Sequence, residues 1–265
     1  MTPISIVRRA VALAVLLGAM APALAQDSAT ELAKAEQNPL TRFVRVQVED
    51  NAQFGFGPEH DVLNFLRIQP VVPFDVNEDW SLVTRTVMPI THLPWPVATD
   101  GLSDIALQLF LSPAKTDHFV WGAGPAFVFP TASEEPLGTG KWQAGPALTG
   151  VYMNGPWVVG AIASNLWSFA GDASRAEVNV MTLRPIVNYN LPDGWYLSSS
   201  PSIAAVWGAD EDNRWLVPLG GGVGKVFAVG PQKVSALLES YYHVVSPEIG
   251  PDWQMRLQIT LLFPK

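Results

Sequence analysis

Polar side chains, with arginines and carboxylates among them, stand at every second position in several stretches of this chain, opposite apolar neighbours. Arg45, Glu49, Arg67, Arg85, Asp104, Arg184, Glu239 and Arg256 all lie on the polar side of such an alternation. In an extended strand residues i and i+2 share a face, so these five cations and three anions converge on one side of a sheet. There they either pair with one another, as charges in a low dielectric must, or stay unpaired and bind anionic or aromatic solutes. Covalent catalysis finds less support. Of His60, His92, His118 and His243, three stand in turn-rich stretches or at a strand start, and only His243 shares a face with an acid, Glu239, and with Tyr241. A serine-assisted site acting on lipid is the enzymatic alternative, yet Leu238, Tyr242 and Val244 hold the opposite, apolar face. His243 therefore points away from any acyl chain. No histidine pair stands at metal-ligand spacing and cysteine is absent, so no metal, disulfide, catalytic residue or cofactor is expected. Leu219-Gly220-Gly221-Gly222-Val223-Gly224-Lys225-Val226 resembles a phosphate loop but fails it twice: Leu219 stands where a glycine is required and Val226 where Ser or Thr is.

The elements that must position these residues follow from composition. Of 265 residues 48% are hydrophobic and 15% charged, and the mean hydropathy is +0.18. Soluble domains carry about 25% charged residues. The formal charge of −8, with no basic cluster, argues against a nucleic-acid partner. Residues 1–25 read as a secretory signal peptide: Arg8 and Arg9, an apolar core over 10–20, and Ala23-Leu24-Ala25 before Gln26. Its removal leaves 14 basic against 24 acidic side chains, a charge of −10. Beyond it no run of about 18 apolar residues exists to form a spanning helix. The remaining way to pair every backbone group in lipid is a closed barrel of alternating strands of about ten residues.

Period-two alternation and Gly/Pro/Asn/Asp punctuation predict twelve strands: 41–50, 62–74, 80–90, 102–112, 118–130, 140–153, 156–168, 178–189, 195–207, 214–228, 234–245 and 253–263. The last is the clearest: Trp253, Met255, Leu257, Ile259, Leu261 and Phe263 alternate with Gln254, Arg256, Gln258 and Thr260, and only Leu262 breaks the pattern. Tight connections at 75–79, 113–117, 154–155, 190–194 and 229–233 alternate with longer ones at 51–61, 91–101, 131–139, 169–177, 208–213 and 246–252. Short periplasmic turns and long outer loops are the barrel convention. The longer loops carry Glu59, Asp61, Glu134, Glu135, Asp172, Asp210, Glu211, Asp212, Glu248 and Asp252, so an acidic mouth and a slightly basic interior are expected.

Trp80, Trp142, Trp157, Trp195, Trp215 and Trp253 open predicted strands, Trp167 and Trp207 close them, and Trp121 lies just inside one; Trp95 sits in a loop. Amphipathic rings at strand ends form the two aromatic girdles of a barrel in lipid. Lys225 shares the apolar register with Val223 and reads as an interface residue that extends its amine toward water. Pro70, Pro125, Pro146, Pro185, Pro201 and Pro218 fall inside predicted strands, where each removes a ladder donor. Ala-Gly-Pro-Ala at 123–126 and again at 144–147 reads as a kink repeated once per strand. Residues 26–40 precede the barrel segment 41–265 as either a free periplasmic tail or a short plug helix, with Asp27 or Ser28 as cap and Pro39 beyond its end.

Longer motifs carry a family likeness. LRIQPVVPF (66–74), TRTVMPI (84–90), GLSDIALQLFLSP (101–113), LGTGKWQAGPAL (137–148), NLWSFAGD (165–172), NYNLPDGWYLSSSP (188–201), WLVPLGGGVGKVF (215–227) and PDWQMRLQITLLFPK (251–265) span nearly the whole chain after residue 25. In these the sequence resembles the outer-membrane transporter-type proteins grouped with phenol meta-pathway degradation, some of whose relatives carry the mistaken label neuromedin U. The resemblance implies a single β-barrel in a Gram-negative outer membrane, with its lipid and its barrel-assembly machinery as partners and small, aromatic or hydrophobic compounds as solutes. It carries no functional residues across. Its members lead one to expect the ending seen here, in which Phe263 is followed by Pro264 and Lys265.

Overall fold

In the computed structural model, which describes residues 26–263, a helix α1 (Gln26–Gln37) is followed by fourteen strands that form one closed antiparallel sheet. The predicted leader at 1–25 and the final Pro264 and Lys265 lie outside the described residues. The strands are β1 (Val44–Phe56), β2 (Asp61–Asp75), β3 (Trp80–Leu93), β4 (Thr99–Leu102), β5 (Ile105–Pro113), β6 (Phe119–Phe129), β7 (Lys141–Asn154), β8 (Trp157–Gly171), β9 (Asn179–Asn190), β10 (Trp195–Ser199), β11 (Ile203–Val206), β12 (Trp215–Val229), β13 (Gln232–Val245) and β14 (Trp253–Phe263). β4 and β5 are two pieces of one stave beside β3, and β10 and β11 two pieces of one stave between β9 and β12, so the barrel has twelve staves. β1 closes it against β14 from Val44↔Phe263 to Phe54↔Trp253.

One difference concerns the first outer connection. The sequence reading places a long loop at 51–61, whereas β1 runs on to Phe56 and only 57–60 turn. The polar run Asp50-Asn51-Ala52-Gln53 looks like a loop, but Asn51 and Gln53 continue the inward row of Arg45, Gln47 and Glu49 and are buried. Asp50 on the other face accepts a hydrogen bond from Asn64 Nδ2 at 2.8 Å.

Pro218 sits at a register shift between β12 and β13, from Val217↔Val245 to Pro218↔His243, whereas Pro70, Pro125, Pro146 and Pro185 are absorbed without slippage. Pro125 and Pro146 stand directly opposite each other across β6 and β7, so the two Ala-Gly-Pro-Ala tetrapeptides form one cross-strand pair rather than a kink repeated along the sheet. On the far side of each the ladder is interrupted and resumes in the same register, from Gln108↔Ala126 to Leu111↔Ala123 and from Ala144↔Trp167 to Ala147↔Ser164. A missing N–H costs one ladder bond, and the paired flanks hold the register. Pro201 acts differently, in the gap that divides β10 from β11.

Two apolar clusters pack inside the barrel around the segment that precedes β1. Val71, Val83, Phe110, Val120, Ala126 and Ala147 form a buried cluster with Leu40. A second gathers Tyr196, Val226, Leu237 and Leu262 around Ala33 and Phe43. Leu262 breaks the alternation of β14 because its inward position meets this helical segment and not water. Gly224 leaves room for the Tyr196 ring: a Cβ there would sit 2.2 Å from Tyr196 Cζ. Gly224→Leu should therefore lower stability by about 1–3 kcal/mol through overpacking, read as a lower temperature at which the compact, heat-modifiable gel band is lost. Gly208→Ala, where a Cβ meets nothing within 4 Å, should leave that temperature unchanged.

Candidate functional site

Strand registers place seven of the eight predicted charged residues on the inward face, all but Asp104, which lies between β4 and β5. Glu49 and Arg67 stand opposite each other on β1 and β2, as do Glu239 and Arg256 on β13 and β14. Arg67 donates to Glu49 Oε1 at 2.7 Å, Gln47 Nε2 donates to Oε2 at 3.2 Å, and Arg184 stands 4.0 Å from Oε2. Glu239 is bound more completely. Its Oε1 accepts from Ser198 Oγ at 3.0 Å and Tyr241 Oη at 2.8 Å, and its Oε2 accepts from both the Nε, at 2.7 Å, and a terminal nitrogen of Arg256. That nitrogen also reaches the Ser200 carbonyl at 3.0 Å and Ser200 Oγ at 2.8 Å, while Tyr241 Oη accepts from Ser200 N at 2.8 Å. The network thus pairs the backbone at the break between β10 and β11, where strand pairing lapses.

Three arginines are held otherwise. Arg85 donates to Gln108 Oε1 at 2.8 Å and to Gln69 Oε1, both neutral amides. Arg45 donates to the Glu36 carbonyl, and its Nε has no partner. Arg184 reaches Ser200 Oγ at 3.4 Å. Arg45, Arg85 and Arg184 line one interior cavity, together with Glu36, Asn188 and Ser198. Asp104 is not brought to this group. It sits toward the opposite end and accepts from Thr139 N at 2.7 Å, Thr139 Oγ1 at 2.9 Å and Ala132 N at 3.2 Å, organising the 130–140 loop. At the same rim Lys141 meets Glu177 at 3.0 Å and Arg175 meets Glu135 at 2.9 Å. Hydrogen bonds from Ser174 hold the exposed Asp172 carboxyl below its usual range.

Sequence reasoning missed Glu36, Gln69, Gln108, Asn188, Ser198 and Ser200. The neutral ones lie on the same alternation as the charges but were passed over because they carry none. Glu36 reaches the interior because α1 packs there: Ala33 is fully buried against the Phe43, Tyr196 and Leu237 cluster, and Gln37 and Asn190 exchange amide hydrogen bonds at 2.9 and 3.1 Å. Burial pushes the Glu36 carboxyl above its usual range, against the pull of Arg45, Thr260 and Arg184 and with a small push from Glu239.

The tryptophans divide between the two rims. Trp80, Trp121, Trp157 and Trp195 lie toward the end holding the chain termini, and Trp142, Trp167, Trp207, Trp215 and Trp253 toward the other. Trp80 and Trp121 meet edge to face at 6.3 Å, Trp207 and Trp215 at 5.7 Å, and Trp253 stacks on Phe54 at 4.0 Å. Lys225 lies over the Trp195 ring at 4.7 Å. His243 is buried, with Nδ1 2.9 Å from the Pro251 carbonyl and Nε2 3.3 Å from Gln254 Oε1. Among the described residues no serine hydroxyl is bonded to this ring, and Glu239 is committed to Arg256.

An apolar outer face, aromatic rims and a polar, charged interior define the class: a closed twelve-stave antiparallel β-barrel with the surface of one that spans a membrane. Among solved structures the chain is similar to an outer-membrane channel from Pseudomonas putida F1, at 15% identity and a TM-score of 0.64, over 83% of this chain and 95% of that one. It is also similar to the NanC porin, at 12% identity and a TM-score of 0.54, over 83% of this chain and all of that one. At such identities the fold is what is shared. No protein-family model and no curated protein matches the chain.

Two outcomes are expected. Glu239→Ala or Arg256→Ala, each leaving a buried charge alone, should cost about 3–5 kcal/mol in urea unfolding followed by tryptophan fluorescence, and joint replacement by leucine and methionine should cost less than either. For Glu36 the folded-state carboxyl titrates above its ordinary 4.5. Its stabilisation of the docked helix is full below that value and is lost as pH rises through the raised one. Amide protection of α1 in hydrogen exchange, corrected for intrinsic rates, should fall with rising pH in the wild type and stay flat in Glu36→Gln.

Proposed function

We propose that this chain is a channel of the Gram-negative outer membrane that passes small molecules through its barrel. The observation that carries the reading is the pairing of a fully closed wall, apolar outside, with an interior cavity lined by charged and amide side chains. The tryptophans at both rims act as interface girdles, and Arg45, Glu49, Arg67, Arg85, Arg184, Glu239 and Arg256 line the lumen, with Asp104 at its mouth. The long motifs over 66–265 support kinship with the phenol meta-pathway-associated transporter-type proteins, and hence aromatic or hydrophobic solutes. Residues 1–25 direct export and are removed, and the assembly machinery inserts the barrel with both termini in the periplasm. Residues 26–40 serve as a plug that narrows the periplasmic half: α1 fills the space between the two apolar clusters, and Thr30 Oγ1 is tied to the Leu191 carbonyl at 3.3 Å.

Recording in planar bilayers tests this reading. The purified protein should give discrete conductance steps, and deletion of 26–40 should enlarge them several-fold without loss of the heat-modifiable band. A folded barrel that conducts nothing with or without that segment would refute a channel.

A further inference from the structure

Counter-ions are unevenly shared among the interior arginines. Glu49 and Glu239 are engaged by Arg67 and Arg256 at 2.7 Å. Arg45 and Arg85 have no carboxylate within ion-pair distance among the described residues, and the nearest one to Arg184, at 4.0 Å, is the Glu49 group already bound by Arg67. Arg45 and Arg85 come from β1 and β3, on either side of β2, and Arg184 from β9 across the barrel; all three line the same cavity, where Glu36 is the single carboxyl. The cavity therefore holds an excess of two positive charges. An uncompensated cation removed from water is costly unless an anion joins it.

Two further observations describe what would fit. Arg45 Nε is a buried donor without a partner, on a side chain 7% exposed that lines this cavity. The rest of the lining is partly apolar: Ile162 and Ile186 flank Arg184 on the β8 and β9 wall, and Leu237 lies on β13. Guanidinium groups are well suited to carboxylates because their donors match two oxygens at once.

We infer that the central cavity is a binding site for a small organic carboxylate with an apolar body, held by Arg45, Arg85 and Arg184. This deepens the channel reading and rests on it for the route by which a solute arrives. Arg85 and Arg184 release amide and hydroxyl partners to the ligand, and the isoleucine wall takes its apolar part.

Titration calorimetry on the full-length barrel in detergent tests the site with benzoate as probe, beside benzyl alcohol, acetate and inorganic phosphate. Benzoate should bind saturably, and benzyl alcohol and acetate about tenfold or more weaker, since each lacks one half of the recognition. Arg85→Gln and Arg184→Gln should each weaken benzoate about tenfold or more while keeping the heat-modifiable band, and Lys115→Gln, on an exposed turn, should change nothing. Equal binding of benzoate and benzyl alcohol, phosphate binding as tight as benzoate, or indifference to both arginine substitutions would overturn the inference. Conductance recorded on the same preparation keeps the two readings apart. Steps without benzoate binding would sink the carboxylate site and leave the channel; arginine-dependent binding without steps would keep the site and remove the channel.

Discussion

Eleven consecutive residue pairs between β1 and β14, from Val44↔Phe263 to Phe54↔Trp253, close the sheet on itself. An open edge would expose a row of unpaired N–H and C=O groups, which no apolar surrounding can satisfy. Closure makes one face outer and the other inner along every stave, and the two-residue period then sorts each strand: β14 sends Gln254, Arg256, Gln258 and Thr260 inward and Met255, Leu257 and Ile259 outward. Interior chemistry is therefore a consequence of backbone pairing. Any side chain can be moved inside or outside by one step of register, and the antiparallel ladders forbid that step.

Closure also explains how the wall tolerates residues that ordinarily spoil sheets. Pro125 and Pro146 remove donors at a facing pair, yet both flanks stay in register, because the neighbours are fixed by the whole ring rather than by one hairpin. At Ser200-Pro201-Ser202 the loss is larger and the stave divides. There the interior takes over the work of the sheet: Arg256 and Tyr241 bind the Ser200 backbone, and Glu239 orients both. A charge cluster that looks like a site in sequence is in part a repair of the wall.

The alternation made the fold legible. The twelve segments and the even strand count follow from period two and the Gly/Pro/Asn/Asp punctuation between its runs, since side chains on opposite faces meet opposite solvents. β1 was cut short because Asp50-Asn51 reads as loop when polarity is taken without register; its inward Asn51 and Gln53 are polar for the same reason as Glu49. The division of the interior was less accessible. Sequence gives the parity of Arg85 and Arg184 but not the rotation of each stave about the barrel, which decides that they face one cavity with Arg45 while Asp104 serves the rim loop. Glu36 was out of reach because its position depends on where α1 docks, a tertiary matter that amphipathicity alone leaves open between tail and plug.

Two populations of interior charge result, and their difference is physical. Glu239 and Arg256 are buried and held both by each other and by Ser198, Ser200 and Tyr241, so their network is committed to the wall. Arg85 is held only by neutral amides and Arg45 by a backbone carbonyl, partners that satisfy donors without cancelling charge. A barrel whose interior served stability alone would gain by matching every arginine with an acid, as it does at Glu49 and Glu239. Leaving the mismatch at an interior cavity where α1, β1, β3 and β9 meet concentrates positive potential where a passing anion would be enclosed, and the helix that borders it is docked by Ala33 and carries Glu36 there against the cost of burying a carboxylate.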